Sequence, residues 1–175
     1  MEFRLPELKD KEIIIDYIKE HYECGEQKMS ASHMLTSMPF EKWVEKIHNN
    51  VNTPDEKWGK SYMYLAFDND KLIGFLSVRY DLSEEMINEY GHIGYGVRPS
   101  ERRKGYANKM LAYGLKRIKE LGLNKVIMAC YKENVGSAKT IIKNGGKLIR
   151  EDKHHIDINN IYNIELIAQF YEIEL

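Results

Sequence analysis

Arg102-Arg103-Lys104-Gly105-Tyr106-Ala107 is the stretch of this chain whose residue types and spacing point most directly at chemistry. Three cations precede a glycine, and the glycine opens a run in which Ala107, Met110, Leu111, Gly114, Leu115 and Ile118 recur at helical spacing. The start of a helix presents unpaired backbone N–H groups and a partial positive charge, and both suit a phosphate. Gly105 lets the main chain approach such a group, the small Ala107 keeps the first turn clear, and the cations add mobile charge. The pattern is neither GxxxxGK[ST] nor GxGxxG, because Gly91, Gly94 and Gly96 lie ahead of the loop in a strand.

The elements that must position this loop can be read on either side of it. Residues 90–98 form a strand ended by Pro99, and the apolar run 124–131 reads as a strand in the buried middle of a sheet. The amphipathic helix lies between them, with Gly122 placed to cap its end. Val135 to Lys143 follows as a short helix with Ala138, Ile141 and Ile142 inward, closed by Asn144-Gly145-Gly146. Upstream, the pattern predicts a strand over 2–5 and a helix from about Lys9 to Cys24. A second helix opens at Phe40 with Trp43, Val44 and Ile47 on one face. A hairpin of 61–67 and 71–80 turns at Asp68-Asn69-Asp70, and 83–89 is a short polar connection. Leu148-Ile149, then Ile156 and Ile158, alternate before a long strand from Tyr162 to Leu175, whose exposed edge suggests a possible homodimer. This order predicts an α/β (α+β) domain of three layers, not a doubly wound one.

Composition narrows what the loop can serve. The chain has 175 residues, 43% of them hydrophobic, enough for one core without staples. Its densest apolar run, Val126 to Tyr131, is one strand long, and the N-terminus is charged throughout with no signal-peptide core. Cys24 and Cys130 are too few for a disulfide framework or a cysteine-only zinc site. A cytoplasmic protein with no membrane partner and no metal is expected. Residues 1–97 hold 11 Lys/Arg against 18 Asp/Glu, a net of −7. Residues 98–147 hold 13 against three, a net of +10, and 148–175 carry two against six, a net of −4. The basic block is where an anion belongs. Lys116, Arg117 and Lys119 read as a solvated helix face. A nucleic-acid partner is disfavoured by the acidic flanks and the lack of an RNA-binding aromatic motif.

Residues 102–107 resemble the [QR]-x-x-G-x-[GA] signature of the GNAT superfamily of N-acetyltransferases. The context carries the resemblance over about residues 72–148: a strand ending Val97-Arg98-Pro99, a helix of the right length, a buried strand, then Asn134-Val135-Gly136-Ser137 before Gly145-Gly146. It implies one domain over 1–175 with a mixed, largely antiparallel twisted sheet of about seven strands flanked by helices. The central parallel strands 90–98 and 124–131 would splay to admit acetyl-CoA. Arg102, Arg103, Lys104, Gly105, Tyr106 and Ala107 would hold the pyrophosphate. The strand at Tyr95, Gly96 and Val97 would meet the acyl and pantetheine arm, and Asn134 and Ser137 the pantetheine region.

Many members have a tyrosine seven residues after the asparagine that protonates the departing thiolate; here that residue is Ile141, and Gly146 replaces a common aromatic. Tyr131 and Ser137 are the substitute acids by proximity. His92 matches a glutamate base of several relatives, with an ordinary pKa near 6.5 suited to the task. Glu85 and Glu89 could act through water. Cys130 would permit an acyl-cysteine route, but a buried strand favours an inert thiol. His154 and His155, adjacent on a strand, face opposite ways and cannot chelate together. His21, His33 and His48 are isolated. The resemblance implies acetyl transfer to a primary amine of a small molecule or peptide, with a CoA-binding module that has lost efficient chemistry as the alternative. Glu23, Glu26, Asp81, Glu84 and Glu85 suit a cationic amine, and solvated faces explain them equally.

Overall fold

The computed structural model describes residues 1–56, 58–158 and 162–175, with 155–158 and 162–163 by backbone alone. The strands are β1 (Glu2–Arg4), β2 (Ser61–Asp68), β3 (Lys71–Arg79), β4 (Ile93–Val97), β5 (Lys125–Tyr131), β6 (Lys147–Ile158) and β7 (Tyr162–Glu174). The helices are α1 (Lys11–Glu23), α2 (Phe40–Asn49), α3 (Glu84–Tyr90), α4 (Tyr106–Glu120) and α5 (Val135–Lys143). The predicted elements are present, with one addition. The polar 83–89 connection holds α3, capped by the Ser83 hydroxyl, which accepts the Met86 N–H at 3.3 Å.

Strands β2 and β3 are buried along both faces, which is why their sequences show little alternation. Met63, Leu65, Phe67 and Phe75 face Ile14 and Tyr17 of α1 and Trp43 and Ile47 of α2. Tyr64, Ala66, Leu76 and Val78 face Met110, Leu111 and Ile118 of α4 and Ile141 of α5. The period-two backbone thus sends successive side chains into two cores, and helices cover both sides. Each fully buried Leu, Ile or Met contributes about 1.5–3 kcal/mol. Ile142, read as inward, is 56% exposed, because α5 buries only Ile141.

The seven strands form two sheets, ordered β1-β2-β3-β4 and β5-β7-β6. Every pairing in them is antiparallel. Among the described residues the long C-terminal strand β7 pairs with β6 along most of its length but with β5 only from Ala168 to Glu174, so the open edge expected on this strand is confined to its first residues. β4 and β5 touch through the isolated bridge Gly91–Met128. Beside it the His92 N–H donates to Ile127 O at 2.8 Å, and the Ile127 N–H donates to His92 Nδ1 at 3.0 Å. Gly91 has φ +69°, and a Cβ there would stand 2.5 Å from Ile127 O, so glycine is required at the joint. Past it the two strands form no ladder among the described residues, the splay that the resemblance implies. No helix among the described residues is long and apolar enough to cross a membrane.

Three histidines are held in their neutral form, chiefly by burial: His21, His33, pushed down to about 3, and His92. Their contribution is complete above the unfolded pKa near 6.5 and is lost as pH falls toward the folded values. The melting temperature should therefore drop between about pH 6.5 and 5, before the carboxylates titrate. Replacing His33 by Gln should flatten that slope; scanning calorimetry across the window checks it.

Candidate active site

Gly105 caps α4 with φ +83°, and nothing lies within 4 Å of where its Cβ would be. Arg103, two residues earlier, is also left-handed at φ +61°. The first backbone bond into the helix runs from the Lys109 N–H to Gly105 O at 3.3 Å. Among the described residues the N–H groups from Arg103 to Asn108 meet no acceptor. Unpaired donors at the positive end of a 15-residue helix, with open space at the glycine, make a nest for a pyrophosphate.

The cations around this nest are unequal. Arg102 is turned away: its guanidinium holds both Glu26 carboxylate oxygens, at 2.5 and 2.6 Å, and its Nε donates to Val97 O at 3.1 Å. That pairing is the main reason the Glu26 carboxyl lies below its ordinary range, and Glu26 also meets His21 Nδ1 at 2.8 Å. Lys104 pairs with Glu101 at 3.0 Å, and Glu101 is shared with Lys71 at 2.6 Å. Tyr106 is held through its hydroxyl to Asp68 at 2.6 Å. Arg103 has no carboxylate at ion-pair distance among the described residues, and is the loop cation left for a ligand, with Lys109 of the first turn of α4, also unpaired there, over the Tyr106 ring at 5.5 Å.

Where β4 and β5 part, a cavity of about 420 Å³ opens. Tyr95 of β4, Cys130 and Tyr131 of β5, and Asn134 and Ser137 at the start of α5 stand on its walls. Asn134 Oδ1 accepts the Ser137 N–H at 3.0 Å, so the residue that caps α5 also faces the cavity. The Tyr95 hydroxyl lies 3.0 Å from Ser137 Oγ. Burial pushes the Tyr95 phenol up, so it stays a protonated donor at neutral pH. Burial likewise pushes the Cys130 thiol up, which suits the inert role, although the residue is half-buried on the wall and not in the core. Tyr131 is 40% exposed and meets the His154 ring edge-on at 6.2 Å.

Other expected residues are not brought to this cavity. His92 is 6% exposed and off the wall, with Nδ1 already accepting the Ile127 N–H; that bond needs the neutral ring. Gly96 and Val97 continue β4 beyond the cavity, and Val97 O is occupied by Arg102. Ile141 is fully buried, with Gly146 so close that a Cβ there would be 2.4 Å from Ile141 Cγ2, which leaves no room for the usual tyrosine. Glu89 and Tyr90 of α3 do reach the wall, and the Tyr90 phenol, hydrogen-bonded to Glu89, is pushed up to about 12. Their sequence signal was Ser83 followed by two acids, a helix start. No group of three His, Cys, Asp or Glu side chains among the described residues is arranged to hold a metal.

A nest for a pyrophosphate at one end of a strand, and a cleft where that strand leaves its neighbour, define an acyl-CoA-dependent transferase. The chain belongs to the acetyltransferase (GNAT) domain family, whose model matches residues 2–147. A search of curated proteins finds no match. The GNAT-family acetyltransferase of Streptococcus pneumoniae is similar in structure with a TM-score of 0.70 at 14% identity, over 98% of this chain and 99% of that one. The ribosomal-protein-alanine N-acetyltransferase of Brucella melitensis gives 0.69 at 15%, over 100% of both chains. The ribosomal L7/L12 α-N-protein acetyltransferase RimL, in complex with coenzyme A, gives 0.66 at 16%, over 99% of this chain and 93% of that one. At these identities the likeness is one of fold.

Gly105→Glu should abolish CoA binding measured by calorimetry, whereas Gly105→Ala should cost roughly 1–2 kcal/mol of stability from its left-handed φ. Arg103→Ala should weaken CoA by up to about fivefold. That loss should vanish at high salt, and Lys104→Ala, already neutralised by Glu101, should show less of it.

Proposed function

We propose that this protein transfers the acetyl group of acetyl-CoA to a primary amine of a small molecule or peptide, by direct attack within the cleft between β4 and β5. The cleft supports this reading above all: a cavity of about 420 Å³ at the splay, with Glu89, Tyr131 and Ser137 among its lining residues. The loop N–H groups from Arg103 to Ala107 would hold the pyrophosphate, and Asn134, through its amide nitrogen, the pantetheine arm. Acetyl-CoA supplies an activated acyl group whose leaving thiolate needs little help. What the chain adds is positioning, exclusion of water and two proton transfers.

An amine arrives as ammonium and must lose a proton. Glu89 fits that role better than His92, because its carboxylate is exposed on the cleft wall while the imidazole is committed to the joint. Ser137, whose Oγ lies 3.0 Å from the Tyr95 hydroxyl, and Tyr131 line the same cavity and would supply the proton to the departing sulfur. Lysine in the loop plays no chemical part, since Lys104 is tied to Glu101.

Glu89→Gln should lower kcat by the ~10²–10⁴-fold typical of acid–base residues and leave CoA affinity unchanged. Ser137→Ala and Tyr131→Phe should each cost less, with the double variant worse than either. His92→Ala should lower the melting temperature and leave the pH–rate limb where it was. If instead His92→Ala moves that limb and Glu89→Gln does not, the base is His92.

A further inference from the structure

A second cavity, of about 230 Å³, adjoins the cleft. The boundary is thin. Gly94 lines the cleft, yet a Cβ on it would lie 3.6 Å from Arg79 Nη2 and 3.9 Å from Ala31 Cβ, both of which line the second cavity. Ser30 faces the cleft while its neighbours Met29 and Ala31 face the second cavity. A small molecule bound across Gly94 would reach both.

The second cavity is built around a cation without a counter-ion. Arg79 ends β3 and is half-buried; its Nε is buried with no hydrogen-bond partner, and its Nη2 makes one long bond, 3.4 Å, to Tyr90 O. No carboxylate lies at ion-pair distance from it among the described residues. Its guanidinium carbon stands 5.6 Å from the centre of the Trp58 ring. Burial brings its pKa down to about 10, so it remains charged at neutral pH. The other polar groups nearby do not compensate it. Lys46 is itself a cation, paired with Asp55 at 3.1 Å. His33 is neutral, with Nε2 2.7 Å from Ser77 Oγ. An uncompensated buried charge is costly to a fold. The loop over it is also strained, with Ala31, His33 and Met34 at φ of 60°, 49° and 63°. Such strain gathers at ligand clamps.

We propose that this cavity is the acceptor subsite and that Arg79 receives a carboxylate of the acceptor. The amine acetylated in the cleft then belongs to an amino acid or another small amine bearing a carboxylate. The small volume favours such an acceptor over a folded protein segment. It also replaces the cationic amine suggested by the acidic residues: Glu23, Glu26, Asp81, Glu84 and Glu85 line neither cavity. The proposal rests on the cleft as the place of acetyl transfer, so its test separates binding from turnover.

The full-length protein loaded with CoA is titrated calorimetrically with a panel of α-amino acids and with the matching amino-acid amides, and acetylation of each pair is assayed with acetyl-CoA. Amino acids should bind and react about 10- to 100-fold better than their amides, the margin of a charged hydrogen bond. Arg79→Met should erase that ratio, chiefly through KM, with the melting temperature unchanged or raised because a buried unpaired charge is removed. Equal use of acids and amides by the wild type overturns the proposal. So does an Arg79→Met protein that keeps the preference and melts lower, since Arg79 would then be only structural. Amino acids that bind through Arg79 but are never acetylated support the carboxylate site and overturn the reaction proposed for the cleft.

Discussion

Two strands that, among the described residues, are joined at one point and form no ladder beyond it are the constraint on which this structure depends. Gly91 and His92 meet Ile127 and Met128 through main-chain and imidazole bonds. From there β4 is committed to β3 on one side and β5 to β7 on the other. Facing backbone groups that find no strand partner must be satisfied by water or by a ligand. A ligand with amide groups of its own is a natural third strand. The glycine at the joint and the neutral histidine beside it therefore serve the cleft by closing it at one end, while most of the residues on its walls are supplied by β4, β5, α3 and the start of α5.

Electrostatics divides the same way. The block from 98 to 147 carries a net of +10, yet the loop inside it is largely neutralised by one acid from elsewhere and one of its own. Glu26, from the segment after α1, takes Arg102, and Glu101 takes Lys104 and Lys71. What remains for a phosphate is main-chain N–H and the Arg103 guanidinium, with the Lys109 ammonium in the first turn of α4. Such a nest is selective by shape more than by charge, because its donors are fixed by backbone conformation and cost no side-chain entropy.

The order of elements was readable because each rests on a local pattern. The α4 stripe, the β2–β3 hairpin with its Asp68-Asn69-Asp70 turn, and the apolar β5 all carry their periodicity in contiguous residues. The short helix α3 escaped because its seven residues bury only Met86, too little for a visible stripe. At the site, the Gly105 loop could be named from its motif, Tyr95 and Asn134 from the resemblance that motif carries, and Tyr131 and Ser137 from proximity to it. Arg79 could not be interpreted, although a charge at the end of the apolar run KLIGFLSV was visible.

By itself, then, the sequence determined the strand–loop–helix unit, because its periodicity and its glycine are short-range matters, and the motif in that unit carried the resemblance to the family. Only the tertiary structure decided which charges are free. Arg102 and Glu26 are far apart in the chain and bidentate in space, so no local pattern could disclose that one cancels the other. It also decided that His92 closes the joint while Glu89 faces the cleft, and that β7 lies inside its sheet from Ala168 onward. Those outcomes depend on which elements meet, and meeting is governed by long-range packing of two cores around β2 and β3.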